Sequence, residues 1–332
     1  MRKNNNFAKR LAVISVMSLF LVGCGAKDNN FTDITNGDTT EMTEENNTTK
    51  ESTEAEAETK DEKWENGKVS GSEEDFNEYF NIDTKIYTAV CDRKGEVTKI
   101  TYYSEVMGTE RQAQVYTPYN YDENEEYPVV YLIHGLGCDS GQWVGMGANR
   151  IFDNMIDKGE IKPFIAVFPS VVPADGLDSN TFSDSNINAF KDFVEEFKTD
   201  LEPYIKDNYS VSEKWEDTAI CGLSMGGMEA LRLGFTYSDK FCYIGSFSAA
   251  PTLETELLTT ENSEYIPKLV LLCTGGNDST VGENPFNYHE TLANNNVDHI
   301  WYIHPGESHS APVWKLGLIN FLKRVEGGFA FN

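Results

Sequence analysis

Hydrophobic positions are sparse from about residue 24 to 72 and dense after that. The stretch "NGDTTEMTEENNTTKESTEAEAETKDE" carries almost no large apolar side chain. Such a segment cannot bury enough surface to offset the entropy of ordering it, so residues 24–72 are expected to form an acidic disordered linker. Past it, "ITYYSEVMGTERQAQVYTP" contains alternating apolar and polar stretches and predicts an antiparallel hairpin. "YPVVYLIHGLG" and "KPFIAVFPS" are continuous apolar runs, as expected of strands buried on both faces. "NRIFDNMIDKGE", between them, is helical in pattern and ends at Gly159. "NAFKDFVEEFKTDLEPYIKDNY" has apolar residues at helical spacing. "TAICGLS", "FCYIGSFSAA", "KLVLLCTGGND" and "HIWYIHPG" follow as strands, with helices in "GGMEALRLGFTY" and "APVWKLGLINFLKRV". Strands alternating with helices over this length predict a doubly wound, mostly parallel α/β sheet. Ligands of such sheets sit beyond the carboxyl ends of the strands.

The first residues have a different pattern. "MRKNNNFAKR" is basic, "LAVISVMSLF" apolar, and "LVGC" follows at once. Leu21-Val22-Gly23-Cys24 resembles the lipobox of bacterial lipoproteins. The resemblance implies a signal peptide over residues 1–23, cleavage before Cys24 and lipidation there. The alternative, an uncleaved anchor, has an apolar run shorter than the ~20 residues a spanning helix needs. Both readings place the protein outside the cytoplasm at a membrane surface; the lipoprotein reading puts it on the outer face of a bacterial cell membrane.

Charge narrows the partners. The 332 residues carry a formal net charge of −27. Residues 1–26 contribute +4 and 27–75 contribute −11, which leaves −20 on 76–332. Such a surface repels phosphate backbones, so no nucleic acid partner is expected. Of six cysteines, Cys24 belongs to the leader. Cys221 and Cys273 lie in apolar runs and read as small buried hydrophobes. Cys91, Cys138 and Cys242 leave room for one disulfide, whose pairing the sequence does not specify. No metal-ligand spacing occurs, and neither a metal nor a cofactor is expected.

Candidate chemistry centres on Gly222-Leu223-Ser224-Met225-Gly226, a G-x-S-x-G pattern between a strand and a helix. The small residues flanking the serine permit a sharp elbow that lifts its hydroxyl above the sheet. Ser224 is therefore the expected nucleophile. A serine needs a base, and five histidines are available: His134, His289, His299, His304 and His309. In the chain order Ser, Asp, His, the base follows the last strand, which selects His309 in "PGESHSAPVW". His304 reads as a buried hydrogen-bonded side chain and His289 as a helix-surface residue. Asp278, on the turn of "LVLLCTGGNDST", is the expected orienting acid, or alternatively an Asx-turn residue; Glu307 and Asp298 are weaker candidates. Two amides should hold the oxyanion: that of Met225, and one from "HGLG", assigned to Leu136 with neighbouring Gly135 left open. His134 reads as structural. Trp143, Phe182 and Trp314 are candidates for an aryl pocket and equally for core. The long polar loop "VVPADGLDSNTFSDSN", within residues 171–187, reads equally as a substrate-contacting loop or as solvated surface.

These residues resemble the esterase D-like branch of the α/β-hydrolases, in particular bacterial feruloyl and acetyl-xylan esterases. The likeness spans most of residues 95–325. It is carried by "YYSEVMGTERQAQVYTPYNYDENEEYPVVYLIHGLG", "GLSMGGMEALRLGF" with "YIGSFSAAP", and "GESHSAPVWKLGLINFL". The resemblance implies an α/β-hydrolase catalytic domain over residues 73–328. It also implies a triad of Ser224, Asp278 and His309, and a serine esterase acting through an acyl-enzyme on feruloyl or acetyl esters of plant cell-wall polysaccharide such as xylan. "GESH" departs from relatives that place a glycine directly before the histidine. Alternatives are action on siderophore or other small acyl esters, acyl transfer, or a non-catalytic lipid-anchored binding protein on the same fold.

Overall fold

The computed structural model describes residues 67–68, 79, 81–261 and 263–326. The expected signal peptide, Cys24 and almost all of the expected linker lie outside the described residues. One nine-stranded sheet organises the rest. In chain order its strands are β1 (Gly67–Lys68), β2 (Glu96–Ser104), β3 (Thr109–Thr117), β4 (Val129–Ile133) and β5 (Ile165–Pro169). β6 (Thr218–Leu223), β7 (Tyr243–Phe247), β8 (Leu269–Gly275) and β9 (Ile300–His304) complete it. The spatial order is β1-β9-β8-β7-β6-β4-β5-β3-β2. β4 through β9 are mutually parallel, while β2 and β3 form the expected hairpin and β3 runs antiparallel to β5. β1, two residues inside the segment read as linker, pairs antiparallel with β9.

The helices are α1 (Thr84–Thr88), α2 (Gln142–Gly145), α3 (Ala148–Asp157), α4 (Asp184–Glu196), α5 (Glu202–Asn208), α6 (Met225–Thr236), α7 (Asn284–Asn294) and α8 (Ala311–Glu326). They cover both faces of the sheet, which explains the continuous apolar runs. In β4, Tyr131 and Ile133 face one core with Phe190 and Phe193 of α4 and Met228 and Leu231 of α6. Val130 and Leu132 face the opposite core with Phe152 of α3 and Leu318 and Phe321 of α8. Each such side chain contributes about 1.5–3 kcal/mol on full burial, so the two cores fix the strand register.

Three local features differ from the sequence reading. The helix expected from Asn188 begins at Asp184, because Ser183 caps it by accepting from the Asn186 amide. That helix passes into α5 through a π-turn at Phe197–Leu201. Among the described residues, Cys91, Cys138, Cys221, Cys242 and Cys273 form no disulfide. Cys91 Sγ instead lies 3.3 Å from the Arg93 carbonyl oxygen, and Cys242 is buried in the hydrophobic core.

Candidate active site

Ser224 follows the last residue of β6 and precedes the first residue of α6. Its backbone lies at φ 56°, ψ −122°, a conformation that side-chain-bearing residues rarely adopt. Three main-chain bonds hold it there. The Ser224 amide donates to Phe247 O (2.9 Å), and its carbonyl accepts from Met228 N (3.1 Å) and Ala250 N (3.0 Å). Gly222 and Gly226 make the elbow sterically possible. A Cβ on Gly222 would strike the Gly226 carbonyl, and one on Gly226 would strike the carbonyls of Ile133 and His134. The first turn of α6 thus lies directly against the end of β4, where the expected oxyanion loop begins.

Asp278 and His309 meet as expected. His309 Nδ1 donates to Asp278 Oδ2 at 2.8 Å, with the carboxylate almost wholly buried and the imidazole partly exposed. The other carboxylate oxygen accepts from the amides of Thr280 (3.1 Å) and Val281 (3.3 Å). Asp278 therefore serves both readings, one oxygen capping its own turn and the other orienting the imidazole. The loops carrying the pair are bound together: Gly276 N donates to His304 O at 2.9 Å and Asn277 N to Glu307 O at 2.8 Å. Trp314 of α8 packs edge-on against the His309 ring, centroids 5.0 Å apart. This contact fixes the ring plane and leaves Nε2 as the nitrogen available to a reacting group. No hydrogen bond joins Nε2 to the Ser224 hydroxyl among the described residues. Such bonds are commonly loose before substrate binds.

The expected oxyanion loop is contacted by a residue the sequence reading did not single out. Gln142, the first residue of α2, accepts the Gly135 amide at 2.7 Å. Gly135 is thereby committed, whereas the amides of Leu136 and Met225 meet no acceptor among the described residues. No spacing rule marks Gln142; only the fold brings it under the loop. His134 is structural, as expected. Its Nδ1 donates to Gly135 O (2.8 Å) and its Nε2 accepts from Val171 N (2.8 Å), a pairing that requires the neutral ring. Burial pushes its pKa down to about 4.

The remaining candidates separate cleanly. His304 Nε2 is hydrogen-bonded to the Tyr79 hydroxyl at 2.7 Å, and burial lowers its pKa to about 4. His289 is not a free surface residue. It is half-buried, stacked on Trp301 at 5.2 Å, and bonded to His299 at 2.7 Å, because α7 packs its face onto β9. Glu307 Oε2 accepts from Ser310 Oγ (3.0 Å), and it is Asp278 that pairs with His309 Nδ1. Trp143 is core: it is 1% exposed and its indole N–H donates to Ile133 O. Phe182 is on the surface.

A nucleophile elbow after the third parallel strand in chain order, with an acid after β8 and a histidine after β9, defines an α/β-hydrolase. The chain belongs to the esterase family described as "Putative esterase", whose model matches residues 104–315. It is 36% identical over 181 residues to an endo-1,4-beta-xylanase/feruloyl esterase of Xylanibacter ruminicola, covering 52% of this chain and 24% of that protein. It is 30% identical over 154 residues to endo-1,4-beta-xylanase Y of Acetivibrio thermocellus, covering 43% of this chain and 13% of that one. The chain thus spans a quarter or less of the length of these two relatives. Among solved structures, a CE1 ferulic acid esterase from Anaeromyces mucronatus in complex with ferulic acid superposes with a TM-score of 0.64 at 32% identity, covering 71% of this chain and 93% of that one.

Proposed function

We propose that the chain is a serine carboxylic ester hydrolase removing feruloyl or acetyl groups from plant cell-wall polysaccharide such as xylan. One observation carries the reading: Ser224 is held in a strained elbow at the same carboxyl end of the parallel strands as an Asp278-oriented imidazole, with the Leu136 and Met225 amides meeting no acceptor among the described residues. In the proposed cycle His309 Nε2 accepts the Ser224 proton as Oγ attacks the ester carbonyl. The Leu136 and Met225 amides hold the developing oxyanion, each worth about 3 kcal/mol. His309 then protonates the departing alcohol, and water repeats the sequence on the acyl-enzyme while Asp278 stabilises the imidazolium. The cycle uses side chains and main-chain amides alone. The feruloyl esterase among the relatives supports an aromatic acyl group.

Hydrolysis of methyl ferulate and p-nitrophenyl acetate by the purified protein tests this. Ser224→Ala is expected to lower kcat by about 10³-fold or more. Equal rates from both proteins, or turnover by neither, would remove the enzyme reading.

The proposal includes export and lipid anchorage at the outer face of a bacterial cell membrane, resting on the lipobox-like Leu21–Cys24. Cys24→Ala is then expected to move the protein from the membrane fraction to the soluble one. Membrane retention of that variant would count against a lipid anchor.

A further inference from the structure

The loop leaving β5 is built against the expected oxyanion loop at both ends. Near its start, Val171 N donates to His134 Nε2 at 2.8 Å. Arg111 of β3, itself buried, donates to Ser170 O (3.0 Å) and Pro173 O (3.4 Å) while paired with buried Glu196. Near its far end, Thr181 packs on Gly137, where a Cβ would come within 2.6 Å of the threonine methyl. Between them, Asn186 of α4 is 1% exposed and acts as an internal brace. Its Oδ1 accepts from Asp178 N (3.0 Å), and its Nδ2 donates to the carbonyls of Asp178, Asn180 and Thr181. The next residue, Phe182, has its amide bonded to Asn180 Oδ1 (3.3 Å), yet its side chain is turned out to solvent. Phe182 is 66% exposed and Leu177, on the same loop, 43%. A braced main chain therefore holds two apolar side chains, Phe182 and Leu177, out to solvent next to the expected oxyanion loop.

Strand order says which part of a substrate this ring meets. His309 follows β9, on the β7–β8 side of the nucleophile strand, whereas the Phe182 loop follows β5, on the β4 side. The leaving alcohol must lie within reach of His309, which protonates it, so the acyl substituent is directed away from His309. We propose that Phe182, flanked by Leu177, is the acyl-side platform that selects a planar aromatic acyl group over acetyl. The inference rests on the esterase reading of Ser224. The ring stacks on the arene of a hydroxycinnamoyl ester and has nothing to stack on in an acetyl ester. Because the main chain is already ordered, stacking costs little beyond fixing two side-chain torsions.

Methyl ferulate and methyl acetate share an alcohol and differ only in the acyl group, which makes them the test. In Phe182→Ala the ratio of kcat/KM for ferulate over acetate is expected to fall about tenfold, mainly through KM for ferulate, and Phe182→Tyr is expected to restore it. An unchanged ratio, whether both rates hold or both fall together, overturns the proposal. So does a wild-type protein that hydrolyses acetate but not ferulate. A wild-type protein that hydrolyses neither overturns the esterase reading itself, which distinguishes the two failures.

Discussion

At Ser224 the chain holds a non-glycine residue at φ 56° with three main-chain bonds. Residues forced into such regions cost about 1–3 kcal/mol, offset by the surrounding structure. Ser224→Gly should therefore relieve strain while deleting the nucleophile. The variant is expected to unfold about 1 kcal/mol later in urea and to lack esterase activity. A destabilised Ser224→Gly would mean that the hydroxyl, and not the backbone, holds the elbow together.

At the scale of elements, α6 does more than carry the elbow. Glu229 and Arg232 lie on its buried face and tie it to the segment after β7. Arg232 donates to Glu229 Oε2 (2.6 Å), Glu254 Oε2 (3.1 Å) and Thr252 O (3.1 Å). Tyr288 of α7 continues the support by donating to Ala250 O (2.8 Å), and Ala250 N grips the Ser224 carbonyl. Burial pushes the Glu229 carboxyl up to about 8, against the pull of Arg232. Removing the guanidinium would strand a buried acid, whereas Gln at 229 keeps the hydrogen bond without the charge. Arg232→Met is expected to cost about 1–3 kcal/mol, since it leaves a largely neutral buried carboxyl unpaired, and Glu229→Gln about 1 kcal/mol or less, measured by urea unfolding at pH 7. Similar costs for the two would show that the pair acts by packing alone.

Over the whole molecule, buried imidazoles contribute to the response to acid. His134, His289 and His304 are each pushed down to about 4, desolvation by burial being the first cause in each. Their folded pKa values lie below the unfolded value of about 6.5. The unfolded chain therefore binds more protons between these limits. The stability they contribute is complete above about pH 6.5 and is lost as pH falls toward 4. A fully buried ring such as His134 accounts for at most about 1.4 kcal/mol per pH unit across that window. Urea unfolding at pH 7.5, 6 and 5 should show a falling free energy, with a shallower slope in His134→Asn. A flat profile would contradict neutral burial of these rings.

Much of this was legible before folding. The uninterrupted apolar runs from Val129 to Leu272 announce strands covered on both faces, because only two-sided burial removes the polar alternation. Ser224, Asp278 and His309 stand out because catalysis on this scaffold demands a fixed chain order and a glycine-flanked elbow. Other features depend on contacts far apart in sequence, which local spacing does not encode. Gln142 decides the oxyanion donor by occupying Gly135, Trp314 fixes the plane of His309, and Asn186 braces the loop that presents Phe182. Trp143 and Phe182 are equivalent aromatic candidates in the sequence, yet one is sealed in the core and the other stands in solvent. The sequence by itself determined the order of elements and nominated the candidate reactive groups, since periodicity and motif chemistry are local. Only the tertiary structure decided which amides remain uncommitted and which aromatic faces a substrate, because those depend on what the packed chain leaves unpaired.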